Sequence, residues 1–194
     1  MEPARLSATD LACRRGERLL FKGLSFALSA GEALQVIGPN GTGKSSLLRI
    51  LAGLLRPDSG TVERDLPVAL LDERLPLDGH LPLGRAFGFW SRIDGGGYAP
   101  GNLAALGLDT LADVPVRFLS TGQRKRAAIL QSNARMAGLW LLDEPLNGLD
   151  KEAAADFQQH VADHLAKGGI AVIASHQSFD LPGLRRLELA DFAP

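Results

Sequence analysis

A single cysteine, Cys13, in 194 residues rules out an internal disulfide and leaves no thiol cluster for zinc. Such usage fits a reducing compartment, and Cys13 itself reads as a small apolar strand residue. Net charge is nearly absent as well. The 21 Lys and Arg against 22 Asp and Glu give a formal charge of −1, which lacks the basic excess of a dedicated nucleic-acid binder. Long apolar runs are missing too: the best, residues 170–174 and 139–142, fall well short of the ~18–20 residues that cross a bilayer. Residues 1–5 show neither the basic start nor the apolar stretch of a secretory signal, so the chain is expected to be soluble by itself. Repeats and low-complexity tracts are also lacking. The length suits one sizeable core, with room for an inserted subdomain.

What the chain does contain is a phosphate loop. Gly38-Pro39-Asn40-Gly41-Thr42-Gly43-Lys44-Ser45 fits G-x-x-x-x-G-K-[ST] without a mismatch. In this pattern the glycines let backbone N–H groups curl around phosphates, Lys44 places a positive charge on the outer phosphates, and Ser45 offers its hydroxyl to Mg²⁺. Context supports the match. Ala33-Leu34-Gln35-Val36-Ile37 suits a buried strand, and Leu47, Ile50, Leu51 and Leu54 recur at i, i+3, i+4 and i+7 of a helix. That helix opens at the phosphate site with its positive dipole end toward the anion. Pro57-Asp58-Ser59-Gly60 reads as the turn that closes the unit. A short strand at Thr61-Val62 and an apolar run Val68-Ala69-Leu70-Leu71 follow.

From about residue 72 the texture changes to proline, glycine and short helical pieces, with Asp94-Gly95-Gly96-Gly97 as a break. This reads as a small helical insertion which, with a helix after Gly122, extends to about residue 135. Strands at residues 139–142 and 170–174 and a helix near residues 151–167 return the chain to an α/β pattern.

Two further elements narrow the chemistry. An apolar strand ends in Asp143-Glu144, and paired carboxylates at a strand end call for a partner. Beside a phosphate loop, Asp143 is placed to bind Mg²⁺ and Glu144 to polarise the water that attacks the γ-phosphorus. Leu119-Ser120-Thr121-Gly122-Gln123 stands before a helix, where Ser120 or Thr121 can serve as an N-cap. A hydroxyl, a glycine and a helix start also make an anion site. One chain needs only one γ-phosphate site, so this second one points to a nucleotide held by another subunit.

Phosphate loop, Leu119-Ser120-Thr121-Gly122-Gln123, Leu141-Leu142-Asp143-Glu144-Pro145, Asn147-Gly148-Leu149-Asp150 and Ser175-His176 stand in the order and spacing of the ATP-binding cassette ATPases, which the chain resembles from about Leu11 to His176. The resemblance implies a single ATPase domain over residues 1–194. It would comprise a P-loop NTPase sheet with helices on both faces, an N-terminal antiparallel β part and the inserted helical subdomain. It also implies a head-to-tail homodimer sandwiching two ATP molecules with Mg²⁺. Each ATP would lie between the phosphate loop and Ser46 of one subunit and the signature residues 119–123 of the other. On this likeness Lys44, Glu144 and His176 are catalytic, with His176 as the switch histidine at the γ-phosphate. Residues 147–150 resemble the loop that communicates between the two sites.

Departures from the family pattern are visible. Glu73 stands where the family usually has a glutamine that reaches Mg²⁺ and the attacking water; a carboxylate there can still ligate the metal. Residues 11–16 lack the aromatic that stacks on adenine in many members, for which the plane of Arg14 or Arg15 can substitute. Several residues receive blander readings. His160 and His164, four apart on a helix, read as a solvated face, and His80 has no evident partner. Arg124-Lys125-Arg126 reads as solvated surface or as meeting an acidic partner. Trp90 and Phe87-Gly88-Phe89 read as core, with a membrane partner as the alternative.

Within the family, residues 11–21, residues 114–123 and His176-Gln177 look most like the haem-exporter ATP-binding subunits of cytochrome c maturation. That likeness implies a peripheral motor on the cytoplasmic face of a bacterial inner membrane, with integral permease subunits as partners. No direct haem binding is expected, since Cys-x-x-Cys-His is absent. Two other readings stay open: an ATPase of another exporter or a soluble mechanical ATPase of the iron–sulfur assembly type, and a small P-loop kinase.

Overall fold

The computed structural model describes residues 6–72, 77–93, 101–104, 107–134 and 137–194. Two sheets carry the architecture. Strands β1 (Leu6–Arg15), β2 (Arg18–Leu28) and β4 (Ser59–Arg64) form an antiparallel sheet in the order β2-β1-β4. Strands β3 (Ala33–Ile37), β5 (Val68–Leu71), β6 (Leu139–Asp143), β7 (Ile170–Ala174) and β8 (Arg185–Glu188) form a parallel sheet in the order β5-β6-β7-β3-β8.

The near-continuous apolar character of β6 and β7 follows from burial of the parallel sheet on both faces. Side chains alternate between two cores. Leu139 and Leu141 pack with Leu34, Val36 and Val172 beneath helix α1 (Lys44–Leu51) and the antiparallel sheet. Trp140 and Leu142 pack with Ala171 and Ile173 against Phe157, Val161 and Leu165 of a long helix, labelled α5 below (Lys151–Ala166). Helices therefore lie on both faces, as expected. A third cluster is built by helix α2 (Leu83–Ile93), the short helix α3 (Gly101–Ala104), helix α4 (Thr121–Ala134) and two 3₁₀ turns. At its centre are Leu83, Phe87, Leu108 and Leu119. Helix α5 then follows α4 and β6 in the chain.

Several expectations change. Helix α1 ends at Leu51, one turn before Leu54. Gly53 takes φ +78 as the residue after the cap, so Leu54 swings outward and is 70% exposed. The turn consequently falls at Ala52 and Gly53, while Ser59 and Gly60 already belong to β4, where Ser59 pairs with Ala12. His164 does not join a solvated face. Its ring stacks on Trp140 with centroids 4.1 Å apart and planes 8° from parallel. Burial lowers its pKa, opposed by hydrogen bonds with the Ile170 and Gly138 backbones, and Lys167 adds to the lowering. His160 behaves differently, turning Nδ1 toward the Asp156 carbonyl. His80 has a partner after all: its Nδ1 lies 2.7 Å from an Arg117 guanidinium nitrogen. Of the insertion aromatics Phe87 is core, Trp90 is packed against the third cluster, and Phe89 is 48% exposed. Cys13 is a buried β1 residue, as its sequence context implies; burial raises its pKa against a hydrogen bond with the Ser46 side chain.

Candidate functional site

In an open α/β sheet, ligands collect where loops leave the carboxyl ends of the strands. Here those loops follow β3, β6 and β7. The loop after β3 wraps onto the start of α1. Gly43 caps that helix at φ +111, and a Cβ there would lie 3.2 Å from Leu20 Cδ1 and from two ring carbons of Phe21. Only glycine suits both the left-handed backbone and the space. Lys44 is nearly buried, and its Nζ donates to the carbonyls of Gly38 (2.7 Å) and Pro39 (3.2 Å). Thr42 Oγ1 donates to the Pro39 carbonyl, which tightens the same loop.

Asp143 closes β6. Burial pushes its carboxyl pKa up, a hydrogen bond from the Ser45 hydroxyl opposes this, and the charges of Glu144 and Asp72 push it further, partly offset by Arg49. The charges of two further carboxylates thus act on Asp143. Glu144 follows in a left-handed conformation, φ +44, which costs a residue with a side chain roughly 1–3 kcal/mol. Its N–H donates to the Ala174 carbonyl at 2.8 Å, tying it to β7. The side chain is aimed by the loop after β7: Ser175 Oγ donates to Oε2 at 3.2 Å, and His176 Nδ1 lies 3.0 Å from the same oxygen. Glu144 is largely buried whereas the His176 side chain is 61% exposed, so the imidazole reaches outward from a fixed carboxylate.

The phosphate loop and the two acids share one cavity of about 310 Å³, lined by Asn40, Gly41, Gly43, Lys44, Ser45, Ser46, Asp143 and Glu144. One lining residue, Leu20, comes from the antiparallel sheet. Sequence reasoning missed it, having looked for a base platform at residues 11–16. Arg14 is occupied elsewhere, with Nε 3.4 Å from Asp58 and a second nitrogen donating to the Glu17 carbonyl. The signal for Leu20 was only an apolar residue in a strand.

The signature residues do not line this cavity. Ser120 and Gln123 cap α4 reciprocally, the Gln123 N–H donating to Ser120 Oγ and the Ser120 N–H to Gln123 Oε1. The cap reading of Ser120 therefore holds, while Leu119 is buried in the third cluster. Thr121 and Gly122 abut the loop after β6. A Cβ on Gly148 would lie 3.0 Å from Thr121 Cγ2, and one on Gly122 would lie 3.6 Å from Leu149 Cδ2. Asp150 ends that loop as the N-cap of α5, accepting from the Ala153 N–H. Asn147 Oδ1 accepts from Gln177 Nε2 at 3.1 Å, and the Gln177 carbonyl accepts from the buried Gln35 of β3 at 2.7 Å. Gln35 was overlooked; its signal was a polar residue inside an apolar strand.

The basic run is only partly solvated surface: Arg124 is exposed, whereas Lys125 is half-buried. Arg124 Nε donates to the Leu119 carbonyl, and Lys125 Nζ donates to the carbonyls of Glu144 and Pro145. These residues line a second cavity of about 330 Å³ between the end of β5, α4 and the turn after β6. Glu73, expected as a metal ligand, lies outside the described residues, as does the break at residues 94–97.

The donor set fits Mg²⁺. A hydroxyl and a carboxylate are hard oxygen donors, and among the described residues no cluster of three or more His, Cys, Asp or Glu forms a protein-only cage. Mg²⁺ is held in this way where one or two protein oxygens are completed by phosphates and water. Ser45 and Asp143 would hold the ion.

Comparison with known proteins follows the same lines. Residues 21–81 match the ABC transporter family. The chain is 57% identical, over all of both chains, to the cytochrome c biogenesis ATP-binding export protein CcmA of Novosphingobium aromaticivorans. It is 49% identical to the protein of that name from Zymomonas mobilis subsp. mobilis, with 97% of this chain and 86% of that one covered. In fold it is similar to a dimeric ATP-binding cassette solved in a post-hydrolysis state with ADP and phosphate. That likeness has a TM-score of 0.76 and 20% identity, and covers 89% of this chain and 88% of that one.

Proposed function

The chain belongs to the cytochrome c biogenesis ATP-binding export proteins of the ABC transporter family, and from that premise we propose that it powers haem export, or release of a haem chaperone, by hydrolysing ATP. The observation that carries the hydrolytic reading is the shared cavity, in which the phosphate loop, Asp143 and Glu144 meet.

ATP is the substrate. Backbone N–H groups of residues 38–43 and the start of α1, with Lys44, Ser45 and Ser46, cradle its phosphates. Mg²⁺, when bound, neutralises charge on the phosphate oxygens. Lys44 supplies further positive charge where it develops, a stabilisation that is strong because the ammonium is shielded from water. Glu144 accepts a proton from the attacking water. Ser175 and His176 on Oε2 keep its carboxylate pointed in one direction, and the exposed imidazole contacts the γ-phosphate.

The signature acts in trans. Ser120 and Gln123 stand at a capped helix start outside the phosphate-loop cavity of their own chain, so a second subunit supplies them, and two ATP molecules close a head-to-tail homodimer. The communicating loop, residues 147–150, touches both the signature helix and the loop that carries His176. Residues 72–135 form an insertion within one domain, and their separate apolar cluster supports this.

Among the described residues no helix is long and apolar enough to cross a membrane. Integral permease subunits are the partners, and the chain docks peripherally at the cytoplasmic face of the inner membrane. Nucleic acid is not a partner, given the balanced charge. Haem is handled by the membrane subunits. Purification from native membranes, followed by identification of the integral proteins that accompany the chain and by assay of cytochrome c maturation in its absence, tests this assignment. Stable recovery with soluble proteins alone, or normal maturation without the chain, would overturn it.

A further inference from the structure

Resting on the hydrolytic reading above, we propose that Lys125 is a positioning residue for Glu144, which ties the signature helix to the backbone that aims the carboxylate within one subunit. Lys125 lies five residues after Ser120, on the second turn of a helix whose start is pinned by the reciprocal cap. Its Nζ donates to the Glu144 carbonyl at 2.9 Å and to the Pro145 carbonyl at 2.6 Å. The Glu144 carbonyl also accepts from the Asn147 N–H at 3.2 Å.

Two successive carbonyls therefore converge on one ammonium. That arrangement suits a group with several donors and positive charge, because two carbonyl oxygens that face one point repel each other. The backbone they belong to is itself unusual. Glu144 sits at φ +44 directly before a proline, which restricts the residue ahead of it, and a left-handed residue persists only where its surroundings over-determine it. On its N–H side Glu144 is held by β7 through the Ala174 carbonyl. Lys125 holds the other side from α4.

The consequence concerns communication between subunits. The signature residues Ser120 to Gln123 meet the partner's nucleotide, and α4 begins at them. A displacement of that helix start reaches the Glu144 carbonyl through a single side chain, and rotating that peptide re-aims the carboxylate. Small errors of aim in such a group are expensive in rate and nearly free in binding. Lys125 does not line the phosphate-loop cavity.

The test compares Lys125→Met, Lys125→Arg and Glu144→Gln in the full-length chain assembled with its membrane partners. Steady-state ATP hydrolysis is measured alongside binding of a non-hydrolysable ATP analogue. Lys125→Met should lower kcat by about 10- to 100-fold, with KM and analogue affinity within about twofold of wild type. Lys125→Arg, whose guanidinium can also donate to both carbonyls, should recover most of the loss. Should Lys125→Met fail to fold, Lys125→Gln replaces it in the same comparison. Unchanged kcat in the Met or Gln variant overturns the proposal, as does analogue binding lost in proportion to kcat, or an Arg variant as impaired as the Met one. Wild-type turnover in Glu144→Gln would instead remove the hydrolytic role of Glu144. A dead Glu144→Gln beside a fully active Lys125→Met removes Lys125 alone.

Discussion

Replacing Glu144 with Gln keeps the side-chain volume and preserves an oxygen for Ser175 Oγ, which donates at 3.2 Å. Only charge and basicity are removed. A positioned general base contributes about 10²- to 10⁴-fold, so kcat should fall by that factor, equivalent to a barrier roughly 2.7–5.4 kcal/mol higher. Binding should respond in the opposite sense. The Glu144 carboxylate shares the cavity with the phosphate loop, so removing its charge lessens repulsion of the anionic nucleotide. The variant should bind Mg²⁺-ATP as tightly as wild type or more tightly. Because nucleotide is held but not cleaved, it should also accumulate as a nucleotide-bridged dimer. Phosphate release under steady-state and single-turnover conditions measures the first effect, calorimetric titration the second, and light scattering with and without ATP the third. Turnover within about threefold of wild type, or a strictly monomeric protein at saturating ATP, would refute the reasoning.

A second prediction concerns pH. In the unfolded chain the His164 imidazole takes a proton near pH 6.5, in the fold only at a lower pH, so its contribution to stability is complete above 6.5 and is lost as pH falls toward and through the lower value. Urea unfolding from pH 7.5 to 5.5 should show this decline, and His164→Phe should flatten it. Gly43→Ala forces a Cβ to 3.2 Å from Leu20 and Phe21 at φ +111. It should lower stability by about 1–3 kcal/mol and ATP affinity by at least about tenfold, read by chemical denaturation and calorimetry. Gln177→Leu leaves Asn147 Oδ1 without its 3.1 Å donor. The fold should lose about 1 kcal/mol, while kcat drops severalfold because the loop between the two sites loosens; unchanged kcat with intact folding would speak against that link.

The comparison of sequence with structure divides along a physical line. Elements whose chemistry lies in contiguous residues were legible. The phosphate loop, a cap at Ser120 or Thr121 and the Asp143-Glu144 strand end each depend on a backbone path of a few residues, and local geometry follows from local sequence; that Ser120 makes the cap, with Gln123 in return, the structure shows. The apolar periods of β3, β6, β7 and α5 were likewise readable, because burial on a sheet or helix face imposes its repeat directly on the chain. Where the local rule was read too far, at Leu54, one left-handed glycine cut the helix short.

What the tertiary structure alone decided is which distant groups face one another. Gln35 meets Gln177 across 142 positions, and Ser175 reaches Glu144 across 31. Lys125 finds two carbonyls, His164 finds the Trp140 ring, and Leu20 reaches the cavity from another sheet. No run of sequence encodes these meetings locally. A lysine reads the same whether its ammonium faces water or a pair of carbonyls, and strand order together with helix docking determines which of the two it finds. Local residues thus specified the chemical groups proposed to act on a nucleotide, whereas the packing of two sheets and their helices specified how those groups are aimed, because aim depends on contacts between segments far apart in the chain.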